Sequence, residues 1–416
     1  MASETDPTKG LSCYLVGGAV RDRLLGLEVK ERDFVVVGAQ VETMLARGFI
    51  LVGKDFPVFL HPHTHEEYAL ARTERKVAPG YRGFSVHAAD DVTLEQDLQR
   101  RDLTINALAE ATDGRLIDPY GGQRDLEARW LRHISPAFRE DPVRVLRVAR
   151  FAARFAHLGF RLAPETLELM REMSASGELD ALVPERVWQE LASALETSTP
   201  SRFFTTLRAA GALAQLFPEI DRLWGVPQEA FFHPEIDTGL HAMLVLDASA
   251  AISDRPEIRF AALAHDLGKG VTPPSQWPDH SGHEARGLPL VEDLCRRWRA
   301  PRRFRDLALL ATGYHGRVHR LGRPNAVEAL ELMQETDAFR RPERFRELLL
   351  ICEADSRGRH GFEQQPYPQR ASLEAALTAA KAADRSPLPK DLTDPGEIQS
   401  FIRARRLAAI EQVMRE

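Results

Sequence analysis

Two carboxylates, Glu31 and Asp33, stand two residues apart at the entrance to the apolar run DFVVVG. Alternate side chains of a strand share a face, so the pair points its oxygens in one direction. Such a pair suits Mg²⁺, which bridges a nucleoside triphosphate and lowers the pKa of an attacking hydroxyl. An isolated Glu-x-Asp is usually only a wet strand entrance. Here it follows LVGGAVRDRLLG, where a strand ends at Gly17-Gly18 and turns straight into a helix. Glycine lets a phosphate approach the backbone, and the new helix offers unpaired N–H groups and a positive dipole end. Arg21, in the first turn, adds a guanidinium of bidentate reach. A carboxylate pair beside a phosphate-binding turn outweighs the wet-entrance reading.

Two arginine-bearing segments extend this chemistry. DVTLEQDLQRRDLTINALA places Arg100, Arg101 and Asp102 at the start of an expected helix, followed by Asn106. Adjacent arginines face different sides of a helix, so one can grip a triphosphate while the other pairs within the fold. Asp97 is a candidate third metal carboxylate. In EDPVRVLRVARFAARF, Pro142 at the first helical position makes Asp141 a natural N-cap. Arg144, Arg147, Arg150 and Arg154 then fall along one flank, with Leu146, Ala149, Ala152 and Ala153 on the buried one. A second basic run, from Arg296 to Arg305, reads equally well as a solvated helix face and as an RNA contact.

Histidines form a separate constellation in HPEIDTGLH, HDLGKG, DHSGHE and YHGRVH. His265-Asp266 closes the apolar helix RFAALAHDLG, which Gly268 is expected to terminate. Alone, a His-Asp at a helix end is most often an ion pair. His241 lies one helix earlier, and His283 falls in the expected loop that follows. His315 is followed by Gly316, where an aspartate would have strengthened a metal assignment.

The elements that must hold these groups divide the chain. Its 416 residues exceed one ordinary core, and 44% hydrophobic with 28% charged residues fits folded, soluble domains. The net charge of −6 excludes indiscriminate coating of nucleic acid but permits a local basic groove. Cys13, Cys295 and Cys352 are too far apart for a disulfide framework or a zinc ribbon. The polar N-terminus and the absence of any long apolar run point to the cytoplasm. Strand-like runs (CYLVGG, DFVVVG, FPVFLH, EYALAR, GRLIDP) alternate with helical stretches up to about residue 130. After Pro142 the strand signals vanish and helical spacing takes over. The expected fold is α+β: a sheet domain followed by all-helical domains, with PLPKDLTDPG leading into a short final helix.

GGAVRD, the carboxylate pair, RRDLTINA and EDPVRVLRVARF, in this order, resemble the class II tRNA nucleotidyltransferases and their bacterial poly(A) polymerase relatives, within the polymerase-β-like superfamily. The likeness continues through HPEIDTGLH, HDLGKG and the tail, and so is to the bacterial CCA-adding enzymes that carry an HD domain. It implies a polymerase-β-like head at 1–138, a helical neck and body at 139–225, an HD phosphohydrolase domain at 226–345 and a helical tail at 346–416. It also implies that Gly18 and Arg21 hold the nucleotide, Arg101 its phosphates, Arg147 and Arg150 further nucleotide contacts, and Glu31 with Asp33 a catalytic Mg²⁺. Asp141 and Arg144 would be a protein template for the incoming base. Cytosine and adenine each expose an amino donor beside a ring-nitrogen acceptor, a pattern that uracil and guanine reverse. The sequence departs from the family at Glu31, where Asp-x-Asp is the rule, which puts the metal geometry in question.

The same resemblance implies a second metal, Ni²⁺ or another transition ion, on His241, His265 and Asp266, closed by Asp306, Asp337 or Asp355. It brings phosphatase, 2′-nucleotidase and 2′,3′-cyclic phosphodiesterase side activities. Implied partners are tRNA, CTP and ATP, with no membrane, and a monomer or alternatively a dimer. Poly(A) polymerase is the rival within the class. Those relatives carry two basic residues in a G-[RK]-[RK]-F pattern, whereas this chain has Gly53-Lys54-Asp55-Phe56. RTERKVAPGYRGFSVH, with Pro79, Gly80 and Gly83, resembles the flexible loop that helps CCA-adding enzymes switch from CTP to ATP. Two readings from other classes are an HD phosphodiesterase with an impaired transferase, and a non-catalytic RNA-binding protein.

Overall fold

The β-branched runs assemble into a seven-stranded sheet in the order Ile50–Leu51, Val58–Leu60, Glu67–Leu70, Asp33–Val37, Ser12–Val16, Ala109–Ala111, Leu116–Ile117. The computed structural model describes residues 6–52, 57–76, 84–88, 90–321, 325–389 and 392–415. Gly53-Lys54-Asp55-Phe56 and the tip of the Arg72–His87 segment, with Pro79, Gly80 and Gly83, lie outside the described residues. The flanks of that segment, Arg72–Lys76 and Phe84–Ala88, pair as an antiparallel ladder. Alternation along Asp33–Val37 sends Val36 into a core with Cys13, Met44, Phe59 and Tyr68 on one face, and Val35 into a core with Val16, Leu98 and Ala109 on the other. Burying a side chain of Phe59's kind contributes about 1.5–3 kcal/mol, so register is firmly specified here. Ser12–Val16 runs antiparallel to Asp33–Val37 with Val16 opposite Asp33. That register brings the end of the first strand, and the Gly17 turn after it, beside the carboxylate that opens the next.

Two expectations for this region change. Arg100 and Arg101 follow a helix, Leu94–Gln99, rather than start one, and Thr104–Asn106 is a single 3₁₀ turn. Strands do not quite vanish after Pro142, because Arg161–Leu162 pairs in parallel with Trp130–Leu131.

The chain forms two compact units, Met1–Glu190 with Arg202–Ala212, and Leu191–Ser201 with Leu213–Glu416. The second is helical, and its histidines ride on Thr238–Ile252, the end of Pro256–Ala264, His283–Arg297 and Arg302–Arg320. Asp237 caps the first of these, accepting from the Leu240 amide at 2.9 Å. His283 begins a helix rather than sitting in a loop. The helix before the His-Asp pair ends at Ala264, so Gly268 does not terminate it. Gly268 serves close packing: a Cβ there would stand 1.9 Å from the His283 carbonyl oxygen. The final helix, Pro395–Arg415, spans 21 residues and is not short. All three cysteines are buried and unbridged. Among the described residues no helix is long and apolar enough to cross a membrane.

Candidate active site and metal centre

The first unit carries an open cleft of about 920 Å³ lined by Gly17, Gly18, Arg21, Glu31, Asp33, Arg101, Asp102, Asn106, Asp141, Arg144, Arg147, Arg150 and Arg186, among others. Every residue singled out for nucleotide or Mg²⁺ contact except Asp97 is therefore on one surface. Gly17 turns the chain with φ +67°, and a Cβ there would meet the Arg101 guanidinium at 2.6 Å. Glu31 precedes the strand, which begins at Asp33, so the shared direction of the pair comes from the approach to the strand and not from its pleat. Partial burial raises the Asp33 carboxyl above its ordinary pKa, opposed by Arg101 and reinforced by Glu31. A carboxylate desolvated beside a second carboxylate gains from a cation, and two hard oxygen donors fit Mg²⁺.

The arginines are held by a buried polar chain. The Asn106 amide oxygen accepts from Arg21 Nη1 at 2.5 Å, and Asn106 Nδ2 donates to Asp102 Oδ1 at 2.7 Å. Asp102 Oδ2 accepts from Arg147 Nε at 2.7 Å, and Glu190 accepts from Arg150 Nε at 2.5 Å. Burial pushes the Asp102 pKa up, but the Arg147 guanidinium and the Asn106 amide outweigh it and leave the carboxyl well below the usual range. Arg21 is buried, ion-paired with Asp22 at 2.8 Å and stacked 5.0 Å from the Phe155 ring centroid. Its guanidinium helps hold the cleft together as well as lining it.

Arg100 and Arg101 do not diverge. Their chain ends the helix just before them, and both reach back to Asp97, at 2.9 and 3.4 Å. Asp97 is fully buried under this pair and absent from the cleft lining, so it is not a third metal carboxylate. The helix starts at Val143 with Pro142 in the cap position, one residue later than its sequence suggests, and the Asp141 carboxylate accepts from the Val143 amide at 3.1 Å. The same carboxylate also takes both Nη groups of Arg186, at 3.2 and 2.8 Å. Arg144 donates to the Ala137 and Arg100 carbonyls. Sequence reasoning missed Arg186 and Glu190, whose helical segment, PERVWQELASAL, carries no motif.

In the second unit, His241 Nε2 lies 3.0 Å from Asp355 Oδ1, and His265 Nε2 lies 3.2 Å from Asp266 Oδ2 and 3.6 Å from Asp355 Oδ2. Of the three candidate aspartates, Asp355 is the one that stands beside these histidines. Asp306 pairs with Arg302 and Arg305, and Asp337 with Arg340 and Arg341. Each imidazole is oriented through Nδ1: His265 to the Ala262 carbonyl at 2.7 Å, His241 to the Gly358 carbonyl at 3.2 Å and Glu235 at 2.8 Å. Metal-ligating histidines are oriented in this way. Burial lowers the His265 pKa, but Asp266 and Asp355 more than reverse this and push it up to about 9. His265 Nε2 is buried with no hydrogen-bond partner. The cluster is built to receive positive charge, and its imidazole and carboxylate donors fit a divalent transition ion. Lys269, missed in HDLGKG, places Nζ 2.6 Å from Asp266 Oδ2. In the second basic run, Arg296, Arg297, Arg302, Arg303 and Arg305 all meet carboxylates, which favours the structural reading over RNA contact.

Three stretches of the chain match known families. Residues 13–132 match the poly A polymerase head domain, 159–223 the probable RNA and SrmB-binding site of polymerase A, and 238–357 the HD domain. The CCA-adding enzyme of Bacillus stearothermophilus in complex with CTP shares the fold, with a TM-score of 0.62 over 98% of this chain and 91% of that one at 22% identity. The Thermotoga maritima CCA-adding enzyme complexed with tRNA gives 0.58 over 99% and 93% at 20% identity. The multifunctional CCA protein of Methylococcus capsulatus is 60% identical over 97% of this chain and 95% of its own length. That of Ralstonia nicotianae is 59% identical over 98% and 96%. At this identity over nearly its whole length, the chain belongs to the multifunctional CCA protein family.

Proposed function

We propose that the first unit adds C, C and A to the 3′ end of tRNA from CTP and ATP without a nucleic-acid template, and that the second hydrolyses phosphomonoesters and 2′,3′-cyclic phosphates. One observation carries the transferase reading. A single cleft joins the Gly18 turn, the Glu31 and Asp33 carboxylates and the arginines of the Val143–Arg154 helix.

In this reading Glu31 and Asp33 hold Mg²⁺, which supplies charge neutralisation for the triphosphate and acidifies the attacking 3′ hydroxyl. Gly18 and Arg21 seat the nucleotide, Arg101 neutralises its phosphates, and Arg147 and Arg150 add contacts whose positions Asp102 and Glu190 fix. Asp141 accepts from the amino group of cytosine or adenine while Arg144 donates to the neighbouring ring nitrogen. Arg186 already grips Asp141 and aims its carboxylate. Uracil and guanine would set a carbonyl against Asp141 and an N–H against Arg144, opposing acceptor to acceptor and donor to donor at a cost of about 1–3 kcal/mol per mismatched group. The RNA is read through shape and phosphate, as suits a substrate class with a common elbow and acceptor stem.

The second unit's His241, His265, Asp266 and Asp355 hold a divalent transition ion, Ni²⁺ among them, with Lys269 beside it to meet a phosphate oxygen. In the same reading the chain comprises a head, a helical neck and body, an HD part that includes the helix bearing Asp355, and a helical tail. The cytoplasm is the compartment this substrate class requires. The test supplies tRNA transcripts ending before CCA, after the first C and after the second C, with each nucleotide singly and Mg²⁺. Ordered addition of C, C and one A is expected. A ladder of many A residues would make the chain a poly(A) polymerase instead.

A further inference from the structure

Phe231 and Phe232 stand out on the surface of the second unit, 83% and 56% exposed. Ile236 and Leu240, close by in the chain, are exposed as well. Apolar side chains exposed singly need no explanation, whereas a group of them points to a contact site. The two aromatic rings meet edge to face, with centroids 5.0 Å apart at 88°. That contact covers one ring face and leaves the others to solvent.

The turn that carries the rings is anchored to the histidine cluster at three points. At its base the Gln228 amide donates to the Ile236 carbonyl at 2.9 Å, and Gln228 Oε1 accepts from Lys269 Nζ at 2.9 Å. At its tip the Phe232 carbonyl accepts from Arg359 Nη1 at 3.3 Å, while Arg359 Nη2 lies 3.7 Å from Asp355 Oδ1. One residue further on, the His233 ring packs edge to face on His241 at 4.6 Å, and both imidazoles meet Glu235 Oε1, at 3.3 and 2.8 Å. Exposure rises outward along this run, from the fully buried His241 side chain through His233 to Phe232 and Phe231.

Open aromatic faces thus belong to the same short turn that grips Lys269 and Arg359, two cations beside the carboxylates of the cluster. Cations suit a phosphate and aromatic faces suit a nucleobase, so the pairing fits a nucleoside phosphate. Stacking of this kind tolerates any base, because every base has a π-face.

We propose that Phe231 and Phe232 form a base-stacking platform for the hydrolytic site, which makes nucleoside phosphates better substrates there than phosphate esters without a base. The proposal rests on the hydrolytic reading of the second unit and adds where the base binds.

The experiment compares full-length, Ni²⁺-loaded protein with its Phe231→Ala and Phe232→Ala variants on two substrates. One is adenosine 2′,3′-cyclic phosphate; the other is glycerol 1,2-cyclic phosphate, which keeps the cyclic ester and lacks the base. At least one substitution should raise KM for the nucleotide about tenfold and leave kcat nearly unchanged. Hydrolysis of the glycerol ester, slower from the outset, should not change. At the position that responds, Trp should restore the low KM and Leu should not. In the unaltered protein, irradiated 8-azidoadenosine 2′,3′-cyclic phosphate should cross-link to the peptide that carries both rings. Unchanged KM for the nucleotide in both variants, equal losses on the two esters, or cross-links only elsewhere in the chain would overturn the platform. A loss confined to CCA addition would overturn it too and assign the pair to tRNA. No hydrolysis of either ester by the unaltered protein would bring down the hydrolytic reading itself, and the platform with it.

Discussion

The cleft of the first unit and the cluster of the second solve opposite electrostatic problems. The cleft is wide, and its guanidiniums come with carboxylate partners: Arg147 with Asp102, Arg150 with Glu190, Arg101 with Asp97. As proposed, it takes up and releases a highly charged nucleotide, and these arginines remain paired when the nucleotide leaves. The histidine cluster is closed, with His241, His265, Asp266 and Asp355 all buried. Its two aspartates lie against His241, His265 and Lys269. Exchange of substrate suits the first arrangement and permanent residence of an ion the second. A compensated cleft should therefore tolerate metal removal structurally, while the cluster should not.

That contrast can be broken by chelation, which carries the largest expected effect. Stripping divalent ions should lower both activities more than about 100-fold. Mg²⁺ should restore nucleotide addition, and Ni²⁺, Co²⁺ or Mn²⁺ should restore hydrolysis. Melting followed by circular dichroism should fall for the second unit on chelation and stay unchanged for the first. Restoration of both activities by Mg²⁺ alone would mean that the two sites do not differ in metal preference.

Asp102→Ala removes the carboxylate between Asn106 and Arg147. The loss should destabilise the first unit by about 2–3 kcal/mol, in line with hydrogen bonds to charged groups. Urea unfolding measures it, and a shift below about 0.5 kcal/mol would show that the polar chain does not hold the cleft. Exchanging the template groups, Asp141→Arg with Arg144→Asp, should cut the preference for CTP and ATP over UTP and GTP about tenfold or more. Loss of the N-cap alone costs about 0.5–2 kcal/mol and leaves base choice untouched. Unaltered nucleotide preference in the folded double variant would reduce Asp141 to a cap. The smallest effect belongs to Glu31→Asp, which should change transfer a few-fold at most, and upward, because aspartate suits the strict octahedral demand of Mg²⁺. Full activity in Glu31→Ala would remove Glu31 from the metal site.

What the sequence made legible were features carried by local spacing. The Gly17-Gly18 turn and the Asp33 strand each follow from neighbouring residues, and both stand as expected. What stayed hidden depends on helix packing. Asp355 lies on Pro342–Arg357, and only the approach of that helix to Thr238–Ile252 separates it from Asp306 and Asp337. Arg186 and Glu190 sit in an ordinary amphipathic segment and gain meaning only from the helix Val143–Arg154 opposite. Gly268 misled for a related reason. A glycine after a helix usually ends it, but here the missing Cβ makes room for a backbone from the next helix.

The most direct test of two separate metal chemistries in one chain is a crossed pair of variants, assayed for both reactions. Asp33→Ala should abolish C and A addition to truncated tRNA and retain Ni²⁺-dependent hydrolysis of 2′,3′-cyclic AMP. Asp266→Ala should do the reverse. Loss of both reactions in either folded variant, or no hydrolysis by the unaltered protein with Ni²⁺, Co²⁺, Mn²⁺ or Mg²⁺, would contradict the account.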